Sequence, residues 1–359
     1  MLFRLKTLRA GTLLLAVLAA GAALPSSAAE RTSFNVAWSI YVGWMPWDYA
    51  DRSGILKKWA DKYGIKIKLT QVNEYVESIN QYTAGTFDAC AMTNMDTLTI
   101  PAAGGVDSTA LIVGDFSNGN DGVVLKGKGK TLTDIKGQKV NLVELSVSHY
   151  LLARALESVG MRERDLKVIN TSDADIVAAF SAPATTAVVA WKPQLSAVLS
   201  APNAQMVFDS SKIPGEILDL MVVKTDVLNA NPKLGKALIG AWYETLAVMF
   251  KNDAAGQAAQ TAMAKASGTD LAGFGRQLAT THLFTTPADA YAFVTADGVV
   301  KSMDSVRKFS FEHGILGQGA NSVNAVGIQF PAGKVLGDSR NLKMRFDSGF
   351  SKLAMDGKL

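Results

Sequence analysis

Apolar positions along this chain switch repeatedly between the two-residue period of a strand and the three-to-four-residue period of a helix. Residues 34–39 read as a strand. Ile55, Leu56, Trp59 and Tyr63 then fall at helical spacing, and Gly64 ends the run. Residues 65–69 alternate like a strand with one wet face. A helix over 74–84 is stopped by Gly85, a buried strand follows at 87–92, and Pro101 interrupts a short helix over 96–103. Residues 109–113 form another buried-strand pattern. This βαβα order predicts a largely parallel sheet covered on both faces.

The turn-rich run Asp115-Phe-Ser-Asn-Gly-Asn-Asp-Gly122 breaks the pattern and reads as a crossing between two lobes. After it, residues 123–125, 139–144, 166–169 and 186–191 predict strands, and 149–159 and 173–180 predict helices. Ser148 would cap the first of these helices and Gly160 would end it, while Pro193 suits the start of another. Residues 218–223 are the run that carries the chain back, and 233–250 and 254–266 predict helices packed on the first lobe. The expected division is 30–118 plus 222–359 as a discontinuous first lobe and 119–221 as the second.

Residues 1–29 read as a cleavable export signal. Arg4, Lys6 and Arg9 precede an apolar stretch over 11–24, and small residues at 25–29 place the expected cut near Ala28 or Ala29. That stretch is short for a membrane span, and it holds no cysteine for a lipid anchor. The formal charge is +4. Removing those three basic residues leaves residues 30–359 near +1, which argues against nucleic acid or another polyanion as partner. A single cysteine, Cys90, excludes an intramolecular disulfide, and its apolar surroundings predict a buried, inert thiol.

No catalytic constellation stands out. His149, His282 and His313 share no metal-ligand spacing, and there is no phosphate-binding loop, nucleophile elbow or dinucleotide fingerprint. Neither a metal nor an organic cofactor is expected. The distinctive stretch is Tyr41-Val-Gly-Trp-Met-Pro-Trp-Asp-Tyr49, placed between a strand and a helix, where α/β proteins hold ligands. Trp44 and Trp47 read either as core aromatics or as the walls of a ligand cage with Asp48 as its charged member. Polar and acidic residues recur after the strand-like runs: Glu74, Asn94, Asp96, Glu144 and Ser146, with Trp191 ending another run and Glu216 and Asp219 flanking the return crossing. Together they predict an acidic, aromatic cleft, whereas an anion site calls for Arg, Lys or free helix N-termini.

The 41–49 stretch, Gly54-Ile-Leu-Lys57, Gly85-Thr-Phe-Asp-Ala89, Ser148-His-Tyr-Leu-Leu152, Asp173-Ala-Asp-Ile-Val-Ala-Ala-Phe180 and Ala190-Trp-Lys-Pro193 carry a family resemblance. The chain resembles the nitrate/sulfonate/taurine type of periplasmic solute-binding proteins of ABC importers. That implies an α/β, two-lobed periplasmic binding protein of type II, each lobe a mostly parallel sheet flanked by helices. It also implies a monomer that closes on a small-molecule ligand and delivers it to a membrane permease. Where many relatives have Gly-Asp-x-Pro, this chain has Thr93-Asn-Met-Asp96. The aromatic stretch is similar to that of the subgroup associated with urea carboxylase, which implies guanidinium or urea as cargo. The enzyme alternative is the related class of pyrimidine-precursor synthases, which use an active-site histidine and a cysteine-rich segment. The export signal and the lone cysteine argue against it. A periplasmic sensor component is a third expectation, which an uptake assay separates from an importer.

Overall fold

Strand β1 (Ser33–Trp38) alternates buried and exposed side chains at its start and is fully buried thereafter, because it lies inside a sheet. It pairs in parallel with β2 (Lys66–Gln71) on one side and β3 (Ala89–Thr93) on the other. The helices Ile55–Lys62 and Tyr75–Ala84 make the crossovers, the second closed by Gly85 at φ 99°. The computed structural model describes residues 31–317 and 319–359. The export signal expected over 1–29 lies outside the described residues. Thr32–Leu359 forms one compact unit.

The chain then leaves β4 (Ser108–Ser117), crosses to a second sheet and returns through β10 (Leu218–Lys224), which inserts between β3 and β4 antiparallel to both. β11 (Thr281–Leu283), β12 (Gly327–Gln329), β13 (Val335–Leu336) and β14 (Leu342–Phe346) complete the first sheet on the far side of β4. The second sheet has the order β7-β6-β8-β5-β9 and is built from β5 (Asp121–Lys126), β6 (Lys139–Leu142), β7 (Lys167–Asn170), β8 (Ala187–Trp191) and β9 (Ala204–Asp209). Both sheets are mixed rather than mostly parallel. β5, by which the chain enters the second sheet, and β10, by which it re-enters the first, run against their neighbours. All of β10 belongs to the first sheet, so residues 218–221, expected in the second lobe, pack with the first.

Of the stretch 41–49, expected between a strand and a helix, residues 42–49 are themselves helical. Val42–Trp44 is a single tight turn that runs into the helix Met45–Arg52, with Pro46 in its first turn, where its missing N–H costs nothing. Trp47 is thereby turned into the first-sheet core, 5.0 Å from Trp242 of the long buried helix Pro232–Met249. Pro101 falls inside a wide turn, Leu98–Ala102, as its lack of an N–H dictates. Among the described residues, no helix is long and apolar enough to cross a membrane.

Candidate functional site

Where the two sheets face each other, a small cavity of about 20 Å³ opens between them. The first sheet contributes Tyr41, Trp44, Tyr75, Thr93, Ile217 and Asp219, and the second contributes Asp121, Val147 and Trp191. Trp191 is the last residue of β8 and Thr93 the last of β3. Asp121 begins β5 and Asp219 is the second residue of β10, and both strands run the other way. Antiparallel entry thus brings the starts of two strands to the edge where the others end, the edge at which open α/β sheets hold ligands.

Four rings form a continuous wall. Tyr41 meets Trp44 edge to face at 5.1 Å, Trp44 meets Tyr75 at 5.8 Å, and Tyr75 meets Trp191 of the second sheet at 5.6 Å. Behind the wall, each tyrosine hydroxyl is committed to an acid. Tyr41 donates to Asp115 Oδ1 at 2.9 Å and Tyr75 to Asp96 Oδ2 at 2.6 Å. Thr93 Oγ1 also donates to Asp96 Oδ2, at 2.8 Å, and Ser117 Oγ donates to Asp121 Oδ2 at 2.5 Å. Asp115 and Asp219 stand directly opposite each other in the β4–β10 register, both buried. Close packing holds this pair in place: a Cβ on Gly43 would lie 2.4 Å from Asp115 Oδ2 and from the Tyr41 ring.

Four carboxyl groups are therefore buried around one small space, each no more than 4% exposed. Burial pushes Asp96 up to about 6 against the hydrogen bonds from Tyr75 and Thr93, and pushes Asp121 up to about 6 against the hydrogen bond from Ser117. Burial also raises Asp115, and it raises Asp219 well above the ordinary range with the Asp115 charge adding to it. Among the described residues, no Lys or Arg forms an ion pair with any of the four. The cation acting on Asp121 is Lys192, whose ammonium donates to Thr280 Oγ1 at 2.7 Å and does not line the cavity. An aromatic enclosure with buried acids and no basic side chain on its wall is chemically suited to a small cation that carries its own N–H donors.

A family model described as "NMT1/THI5 like" matches residues 55–255, more than half of the chain. The chain belongs to the NMT1/THI5-like family. A curated protein of Escherichia coli (strain K12) named "Putative aliphatic sulfonates-binding protein" is 34% identical over 84 residues, 23% of this chain and 26% of that protein. Other curated relatives match over 44% of their length, so the matched stretches span less than half of these proteins. The alkanesulfonate-binding protein of Xanthomonas axonopodis pv. citri, solved with MOPS bound, superposes with a TM-score of 0.66 at 17% identity, covering 80% of this chain and 96% of that one. The periplasmic aliphatic sulphonate-binding protein of Escherichia coli gives 0.65 at 18% identity, covering 79% and 94%. The fold is that of the periplasmic binding proteins.

Of the positions singled out in this NMT1/THI5-like sequence, Trp44, Trp191 and Asp219 lie on the cavity wall, and Asp96 lies directly behind it. The others sit elsewhere. Trp47 fills the core. Asp48 is turned along its helix to pair with Arg52 at 2.7 Å. Glu74 and Glu144 are exposed. Asn94 pins the start of β10, accepting from Leu218 N and donating to Glu216 O, both at 3.0 Å. Ser146 caps the helix Val147–Ser158. Glu216 is held by Arg154, with Nε 2.8 Å away, and by the Tyr150 hydroxyl. Tyr75, Asp115, Asp121, Val147 and Ile217 were not singled out as ligand residues. Asp115 and Asp121 bound the turn-rich stretch, and acids at both ends of a crossing were the available signal.

The residues that could hold a metal lie outside the cavity. His149, Glu163 and His313 come together although no sequence spacing links them. His149 accepts the Leu145 N–H at Nδ1 at 3.0 Å, so its neutral ring carries hydrogen on Nε2, which faces Glu163 Oε2 at 3.0 Å. A metal would need a lone pair at that nitrogen. The trio reads as polar cross-bracing between the helix Val147–Ser158 and the end of the helix Asp297–Glu312.

Proposed function

We propose that this chain is the periplasmic solute-binding component of an ABC importer and that its ligand is a small cation of guanidinium type. The observation that supports the cation is the wall itself, four aromatic rings with buried aspartates and no Lys or Arg. Guanidinium is planar, stacks on aromatic faces and pairs its N–H groups with carboxylates. Asp121 and Asp219 would accept from it, and Trp44 and Trp191, one from each sheet, would cover its faces. Urea fits less well: its oxygen needs donors, and the wall hydroxyls of Tyr41, Tyr75 and Thr93 already donate to aspartates, which leaves the unpartnered indole N–H of Trp44. The sheets are connected through residues 118–120 and 210–217, so closure would be a hinge motion about those crossings.

A sulfonate- or nitrate-type anion is the second reading, favoured by the ligands that relatives are named for. An anion entering this cavity would meet buried carboxyl groups without a basic partner. The pyrimidine-synthase reading finds little support. Among the described residues, no histidine lines the cavity, and burial pushes the Cys90 thiol up to about 12.

Calorimetry of residues 30–359 against guanidinium, urea, nitrate, taurine and a pyrimidine precursor tests this. Heat of binding with guanidinium and none with nitrate or taurine is expected. Tight binding of either anion, with guanidinium inert, overturns the cation while leaving the fold untouched.

A further inference from the structure

We propose that Asp115 and Asp219 hold one proton between them and release it as the cation enters, so that capture is a cation-for-proton exchange. This rests on the cationic reading of the cavity. Ionised carboxylates are acceptors only, so two acids that face each other in a buried site avoid repulsion only if one of them carries a hydrogen. The register places Asp115 of β4 directly opposite Asp219 of β10, and both are buried. Two ionised carboxylates at such a site repel each other and lose hydration, and neither is relieved by an ion pair.

The surroundings fix which member faces the ligand. Asp115 is fully enclosed: its Oδ1 accepts from Tyr41, and its Oδ2 packs against Gly43 without a donor. Asp219 lies on the cavity wall. The other titratable groups around the pair are Tyr41, whose burial raises it well above its usual value, and Asp121 across the cavity, itself influenced by Lys192. His282 on the neighbouring strand is exposed and stacks on Phe116 at 4.5 Å. None of these supplies a cation to the pair.

A guanidinium entering against Asp219 brings one positive charge and N–H donors. The O–H bond of the shared proton breaks, the electron pair stays on the carboxylate and the proton passes to solvent. The cavity's net charge is the same before and after, so the buried site never has to carry an additional uncompensated charge. A neutral ligand such as urea cannot displace the proton in this way, so the pair also discriminates by charge.

The test counts protons. Guanidinium binding to the wild-type protein is measured by calorimetry at pH 8 in phosphate and in Tris, whose ionisation enthalpies differ. At that pH Asp96 and Asp121, each at about 6, are already ionised, so only the pair has a proton to give. The expected result is an apparent enthalpy that differs between buffers by about one proton per cation bound, and an affinity that rises roughly tenfold per pH unit below the pair's upper titration. In Asp219→Asn, an amide N–H replaces the shared proton, and the buffer difference should vanish. Equal enthalpies in both buffers for wild type, with guanidinium bound, overturn the exchange and leave the cationic reading standing. Absence of guanidinium binding together with binding of nitrate or taurine overturns the reading beneath it.

Discussion

The Tyr41 hydroxyl donates to Asp115 at 2.9 Å, joining residues 74 positions apart, and so makes one side chain both a ring of the cavity wall and a brace for the acid behind it. Tyr41→Phe keeps the ring and removes the donor. A hydrogen bond to a charged group contributes roughly 1.5–3 kcal/mol, so guanidinium affinity should fall roughly 10- to 100-fold, with the melting temperature changed far less. Unchanged affinity would show that Asp115 does not need its brace in the bound state.

Asp121 and Glu144 separate a wall carboxylate from an exposed one. Asp121→Asn removes a charge-assisted acceptor from the cavity and should weaken guanidinium roughly 10- to 100-fold. Glu144→Gln alters an exposed side chain and should leave affinity within about twofold. Titration calorimetry on both variants reads the difference directly, and a reversed order would relocate the ligand.

Trp47 and Trp191 make a second contrast. Trp47 is 1% exposed in the core against Trp242, and its replacement by Ala should destabilise the protein by about 3–5 kcal/mol. Affinity of the folded fraction should be retained. Trp191→Ala opens one face of the cavity and should weaken the cation more than it lowers the melting temperature, while Trp191→Phe should be milder because a phenyl face remains. Denaturant titration with calorimetry distinguishes the two residues.

The buried acids predict an unusual dependence of stability on pH. The ordinary aspartate value is near 4, and Asp96 and Asp121 are raised to about 6 in the folded protein. Folding therefore favours their protonated forms. The stability they contribute is fully present below pH ~4 and is lost as the pH rises through about 6. His149, lowered by burial, acts in the opposite sense around its ordinary value of about 6.5. With two acids against one imidazole, the ligand-free protein should melt higher at pH 5 than at pH 8. Saturating guanidinium should narrow or reverse that gap, because it stabilises the ionised carboxylates. A higher melting temperature at pH 8 without ligand would contradict the burial of uncompensated acids. Asp121→Asn should flatten the profile.

The alternation of strand and helix periods by itself determined that this is an α/β chain with two sheets. It located β1 to β8 to within a few residues and identified the turn-rich stretch that leads out of the first sheet. It also marked an acidic, aromatic character in residues that follow strands. Those features are local: a period, a glycine stop or a turn cluster is set by neighbours in the chain. β9 also escaped notice, and so did the late strands β11 to β14, which are short and owe their pairing to β4 and to one another. Only the tertiary structure decided which acids share the cavity. Asp115 meets Asp219 because β10 inserts antiparallel beside β4, and that register is a fact of long-range pairing. Trp44 reaches the cavity and Trp47 the core because the stretch between them coils into a helix whose faces point to different places. Glu74, Glu144 and Glu216 had the right residue type after the right strands, but solvent or Arg154 holds them instead. Residue type was written in the chain, and direction came from packing.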